Sequence, residues 1–411
     1  MVVPLAVRYV AALAGLLIVL TSARSIIGTV IVPRPVDSWL TRQVDRLASA
    51  AFRLATAWVK DFRTRDRILA SQVAAVLLSQ IIVWLLMFFV GYSLMLWPFT
   101  HGGITGAFTT AGPALWEIGS ENARGAAERT ILDIAALCGI ITVTLQISYL
   151  PTLYSAFNRR ETEVALLNAR AGVPSWGPEL LARTHYALGS GVSSISTLPQ
   201  LYADWERWAA DVTESHTTYL PLVRFRSQKA LSSWVISLLA VLDSAALFLA
   251  LSPEQAPTVP ARLCLRSGFL CFNSVARAMG FDVPEEPDPD GGITITYEEF
   301  LDAIARMEKV NFNLERTAEE AWPDFVGWRL NYERSAYAIA EAIDAVPGLW
   351  SGPRRIPQAP IPPFRPPSGR TSTSGGAGDI SPIPDGDSAS GDSDPGDSDS
   401  DSSTSDSSAS I

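Results

Sequence analysis

The sequence predicts an all-α integral membrane protein. It has three transmembrane helices, with a re-entrant loop between the second and third, then a helical cytoplasmic domain and a disordered tail. Three observations carry this. Only 18% of the 411 residues are charged and 48% are hydrophobic, with a mean hydropathy of +0.18, against about 25% charged residues in ordinary soluble domains. Three segments are apolar enough to cross a bilayer, whose hydrocarbon core takes about 20 helical residues. The acidity sits at one end. Nine aspartates and no Lys, Arg or Glu lie in 371–411, so the formal net charge of −10 becomes −1 for residues 1–370.

Residues 9–23 are apolar between Arg8 and Arg24, and the apolar pattern resumes beyond Arg24 as SIIGTVIV. A continuous first helix over about 4–32 is therefore expected (domain 1–33), with Arg24 snorkelling or facing another helix. A signal peptide, with Arg8 as its basic end and TSA before a cleavage site, is the alternative. Residues 34–68 form a basic linker, with eight cations from Arg34 to Arg67 against Asp37, Asp45, Asp61 and Asp66. Within it, 53–67 interleaves cations with Ala, Leu, Trp58 and Phe62, which suits an interfacial amphipathic helix on anionic lipid. A solvated linker helix is the alternative.

The second span, 69–100, contains thirty-two residues without Asp, Glu, Lys or Arg. Tyr92 and Trp97 lie near one end, and Pro98 stops the helix. The third, 134–158, is uncharged over twenty-five residues, about 37 Å as a helix. Between them, 101–129 carries only Arg124 and Arg129 against Glu117, Glu121 and Glu128. The positive-inside rule then places 36–67 and everything after Asn158 in the cytoplasm and 101–129 outside, in a multi-pass protein of the plasma membrane.

Residues 159–350 mix recurrent charges with Trp and Leu at helical spacing and Pro or Gly breaks, the pattern of a helical soluble domain. Residues 234–251 could tempt a fourth span, but Asp243 stands at their middle. An ionisable group there costs about 2.5–3.5 kcal/mol on insertion scales, so a buried core helix is expected. The Pro-rich residues 351–370 read as a polyproline spacer. Residues 371–411, almost all Ser, Asp and Gly, bury too little to offset their ordering entropy.

The loop between the second and third spans is apolar from Ile104 to Ile118 and rich in Gly, Ala and Thr, yet too short to cross twice. Such a segment dips into a bilayer only where protein shields its backbone or it lines water. Two helices flanking a re-entrant segment is the topology of a tetrameric cation-channel pore, and a loop lying on the membrane is the alternative. In the third span, Thr142 and Gln146, with Thr144 and Ser148, are expected to line one polar stripe of an inner helix, and Gly139 or Pro151 to bend it. Packing of small residues between helices is the other reading.

Several stretches are familiar: YSLMLWPF (92–99), SYLPTLYSAFNRRE (148–161), ALLNARAGVP (165–174), WERW (205–208) leading to TESHTTYLPLVRFRS (213–227), SSWVISLLAVLDSAAL (232–247), ITITYEEF (293–300) and DFVGWRLNY (324–332). Through them the chain resembles, over roughly 5–355, bacterial integral membrane proteins of largely unassigned function. In that group a two-helix plus pore-loop module like that of potassium channels precedes a helical cytoplasmic domain. The resemblance implies a homo-oligomer, tetrameric in its membrane part, and a loop ending in Ser/Thr–aromatic–Thr–Leu–Gly, a reduced form of the filter Thr-Val-Gly-Tyr-Gly. Here Ile118 and Gly119 fit, but Glu117 stands for the filter Thr, Ser120 for the Tyr and Glu121 for the second Gly. Without that Gly a ring of inward carbonyls is hard to build, which speaks against potassium selectivity. Rings of Glu117 or Glu121 would instead give a negative mouth suited to cations generally. The alternative is that both are solvated loop acids.

No enzyme is expected, and no cofactor or metal. There are three His, and no nucleophile elbow, metal-ligand spacing or Gly-rich phosphate loop is present. His216 reads as a capping or interface residue. Residues 288–299 mimic a calcium loop but carry Ile293 where the turn Gly belongs. Thr296 with Glu299 reads better as a capping box. Cys264 and Cys271, seven apart on one helix, stand about 10 Å apart along its axis, too far for a disulfide. The partners expected are the lipid bilayer, monovalent cations and further copies of the chain, not nucleic acid. The function expected is a channel-like cation pore with a degenerate filter, the alternative being a non-conducting scaffold or sensor that keeps the module's shape.

Overall fold

A computed structural model describes residues 4–32, 39–100, 102–116, 125–184, 194–284 and 291–352. The filter-like residues 117–121, the acidic half of the calcium-like loop and the tail beyond 352 lie outside them. All the regular elements described are helical. In chain order they are α1 (Leu5–Ile26, continued by a π-helical turn Ile27–Ile31), α2 (Trp39–Thr56), α3 (Phe62–Ala70), α4 (Gln72–Leu96), α5 (Gly103–Ala114), α6 (Ala126–Ala171) and α7 (Gly177–Thr184). Then come α8 (Leu198–Thr218), α9 (Trp234–Leu251), α10 (Thr258–Ala278), α11 (Tyr297–Glu308), α12 (Ala318–Arg329) and α13 (Glu333–Ala342). Four of these are long and apolar enough to cross a membrane: α1 with its π turn, α3 with α4, α6, and α9.

The first three pack side by side. α1 crosses α4 at Gly15 and Gly91, where the backbones come so close that a β-carbon at Gly91 would lie 2.8 Å from Val19 and 3.0 Å from the Gly15 carbonyl. Small residues at such a crossing replace the hydrophobic drive that lipid removes. α4 turns Val73, Leu77, Gln80, Trp84, Phe88 and Tyr92 inward at helical spacing and leaves Leu78, Ile82 and Leu86 exposed. Large apolar side chains on the outer face of an apolar helix suit contact with lipid. α6 runs unbroken for 46 residues with Pro151 inside it, continuing past the uncharged stretch that ends at Asn158.

The linker departs from expectation. The chain breaks at Ala57–Asp61 instead of running as one helix through 53–67, because Asp61 caps α3 by accepting from the Thr64 amide at 2.8 Å. The amphipathic helix is α2, which lies earlier.

All eighteen residues of α9 are buried. It is apolar all round, as a helix enclosed by protein should be, and α7, α8, α10, α12 and α13 pack around it. A helix walled in by its own chain on every side has no face for lipid. Thr296 and Glu299 form the expected capping box on α11, and Thr317 and Glu320 form another on α12. Cys264 and Cys271 are buried free thiols on α10.

Candidate functional site

The short helix α5 sits between α4 and α6. It begins at the end of α4, where the Phe99 and Thr100 amides donate back to the Leu96 carbonyl at 2.9 and 3.1 Å. Ala107, Ala111 and Ala114, spaced by four and three, form its inner face and pack with Leu96 of α4 and Leu132 of α6. Phe108 meets Phe89 edge-on with ring centroids 5.3 Å apart. The last turn closes with the Trp116 amide donating to the Pro113 carbonyl at 3.0 Å. There the Leu115 carbonyl lies against Gly139. A β-carbon at 139 would overlap that oxygen and come within 3.2 Å of its carbon, so only glycine admits this approach. Gly139 is thirteen residues into α6, about 20 Å along the helix. Thus α5 starts beside the end of one long apolar helix and finishes against the interior of the next.

The polar residues of α6 do not form one stripe. Thr142 and Gln146 are buried within the chain, whereas Thr144, Ser148 and Thr152 are exposed. Two residues advance a helix by about 200°, so the two pairs occupy opposite faces. Thr142 donates to its own helix at Cys138 (2.6 Å). Gln146 has neither amide atom hydrogen-bonded among the described residues. Pro151 is exposed on the hydroxyl side. Glu128, buried at the start of α6 and 3.5 Å from the Thr100 hydroxyl, escaped the sequence reading because nothing in its spacing sets it apart from a loop acid.

Where α6 leaves its apolar stretch, Arg160 is wholly buried. It donates to the Leu222 and Phe225 carbonyls at 2.8 Å each, to Glu161 at 2.8 Å, and to Nε2 of His216 at 3.0 Å. A guanidinium has only donors, so His216 Nε2 accepts, and Nδ1 carries the proton towards the Ser215 hydroxyl 3.0 Å away. Burial, with Arg160 next to it, holds the His216 pKa well below the ordinary histidine value. A neutral imidazole pinned in this way is an interface residue, and it fastens α8 to α6.

A second buried polar group stands inside the helical domain. Arg329, fully buried, pairs with Asp243, with Glu333 at 2.5 Å, and with the Trp350 carbonyl at 2.9 Å. Tyr332 donates to Asp243 at 2.8 Å. Burial pushes the Asp243 carboxyl up from its ordinary value, against the pull of Arg329. The group ties α9 to α12, α13 and residue 350. All its members are buried, and the void beside Asp243 is too small to admit a water molecule, so its chemistry is structural. Among the described residues no three His, Cys, Asp or Glu side chains gather as metal ligands.

No family model matches the chain, and neither a curated protein nor a solved structure matches it.

Proposed function

We propose that the chain is a multi-pass protein of the plasma membrane in which α4, α5 and α6 form a channel-like module passing monovalent cations, with homo-oligomeric assembly, tetrameric by resemblance. The observation that carries this reading is α5, a short helix lodged between two span-length helices with its C-terminal end resting on Gly139. That arrangement fits a re-entrant segment whose backbone is shielded by protein. The end of α5 carries the negative pole of its helix dipole, and Glu117 and Glu121 follow it in sequence. Together they favour cations at the tip. In an oligomer closed around the exposed face of α6, Thr144, Ser148 and Thr152 would line the axis. Thr142 and Gln146 would meet permeating ions only along a path inside each subunit. The loop and filter readings rest on the sequence. The helical domain beyond α6 is assigned to the cytoplasm by the charge asymmetry of the loops.

The departures at Glu117, Ser120 and Glu121 from a potassium filter favour a second reading, a non-conducting scaffold or sensor that retains the module's shape. Liposomes loaded with potassium or sodium and carrying the purified chain separate the two. Cation flux that falls in Glu117→Gln, with assembly intact, supports the pore. Absence of flux from well-folded, correctly inserted protein leaves the scaffold.

A further inference from the structure

Between α1 and α4 the chain makes α2, one face of which is fastened to the protein. On that face the Thr41 hydroxyl is 3.1 Å from Thr29 of the π turn, the Ser49 hydroxyl accepts from Gln72 of α4 at 3.3 Å, and Asp45 accepts from Arg224 at 3.5 Å. Positions 41, 45 and 49 are successive turns of one side, so these contacts set the rotation of the helix.

The opposite face is uncovered. Trp39, Leu47 and Leu54 are exposed to 68%, 70% and 71%, and Trp58, just past the helix end, to 89%. Spacings of eight and seven put Trp39, Leu47 and Leu54 on one face of the helix, and Trp58 follows in the turn that ends it. Four such side chains in a row are far more apolar surface than scattered exposed leucines account for. Along one edge of the stripe run Arg42, Arg46 and Arg53, again four and seven apart and all exposed. Exposed Lys60, Arg63 and Arg67 continue the positive charge beyond it. An apolar stripe bordered by arginines matches an anionic lipid surface: rings and leucines enter the acyl boundary while guanidiniums snorkel to headgroup phosphates. The helix is tethered at both ends to helices of spanning length, which holds it at that surface.

We propose that α2, through Trp39, Leu47, Leu54 and Trp58 with Arg46 and Arg53, docks on an anionic leaflet. This rests on the chain lying in a bilayer and not on its conducting ions. It makes the seating of α2 on the bilayer dependent on lipid headgroup charge.

The test uses the full chain in liposomes of phosphatidylcholine, with or without phosphatidylglycerol. Leu54→Cys or Leu47→Cys carries an environment-sensitive fluorophore, with the wild-type chain taken through the same labelling as background for its native thiols. In phosphatidylglycerol bilayers the probe should be quenched by brominated acyl chains and shielded from aqueous iodide. Each of Arg46→Gln and Arg53→Gln should lower the ratio of docked to undocked helix by about fivefold, since a cation near an anionic surface contributes about 1 kcal/mol. Both residues are exposed, and unchanged melting of the variants checks that the fold is intact. Probes open to iodide in every lipid overturn the proposal, because the stripe then faces water. Probes shielded from both quenchers in every lipid overturn it too, because protein, such as a second copy, covers the stripe. Bromine quenching that is equal without phosphatidylglycerol and indifferent to both variants overturns the anionic requirement.

Discussion

Replacing Gly139 by Ala tests the contact on which the channel-like reading stands. The added methyl would overlap the Leu115 carbonyl oxygen and lie 3.2 Å from its carbon. An ordinary carbon–oxygen contact needs about 3.3–3.6 Å, so the end of α5 must withdraw by about 1 Å. The obstacle is backbone held by its own helix, not a side chain free to change rotamer. Overpacking of this kind costs about 1–3 kcal/mol, against a gain of about 1 kcal/mol for Ala over Gly within a helix. Gly112→Ala is the control on the facing element. Its methyl meets only Phe89, at an ordinary 3.5 Å, and it carries a similar helical gain. The difference between the two variants therefore isolates the clash, at about 1–3 kcal/mol. With about 2.1 cal/mol/K of unfolding entropy per residue, a chain of 411 residues shifts by about 1.2 °C per kcal/mol, so Gly139→Ala should melt about 1–4 °C below Gly112→Ala in detergent, followed by tryptophan fluorescence. If wild-type protein conducts, displacement of the loop tip should also lower its flux. Equal melting and equal flux in the two variants would refute the close seating of α5 on α6.

Lowering the pH should destabilise the junction of α6 and α8. His216 has a depressed pKa in the folded chain, so the unfolded chain takes up its proton first. The stability it contributes is present above about pH 6.5 and declines as pH falls, by about 1.4 kcal/mol at pH 5.5. His216→Gln should flatten that step in a melting-versus-pH series. Arg329→Met leaves Asp243 and Glu333 buried without their cation and should cost about 3–5 kcal/mol in chemical denaturation. Asp243→Asn, which keeps the Tyr332 contact, should cost less, and the reverse order would contradict the pairing. Thiols introduced at Arg46 and Ser381 should be unreachable by an impermeant reagent in intact cells, and one near Glu121 should be reached. Labelling at Ser381 would overturn the assignment of the domain beyond α6 to the cytoplasm.

Helix length and composition are local properties, and the residues themselves state them. Thirty-two uncharged positions at 69–100, the apolar run 234–251 with Asp243 at its middle, and the Thr296–Glu299 capping box could all be read before any packing was known. Rotation of each helix is different, because it depends on what the neighbours leave open. Thr142 with Gln146 and Thr144 with Ser148 share a spacing, but only the packing of α6 against its neighbours, α4 and α5 among them, turns one pair inward and the other out. In the same way, the exposed stripe of α2 exists because Thr41, Asp45 and Ser49 are held on its far side. Gly139 could pass for a hinge in the sequence, and the carbonyl of a residue twenty-four positions earlier makes it a seat. In the sequence Arg160 is a cation just past an uncharged stretch, whereas in the fold four acceptors from three segments close around it. Periodicity fixes which residues share a face, whereas only long-range contacts decide which face is covered.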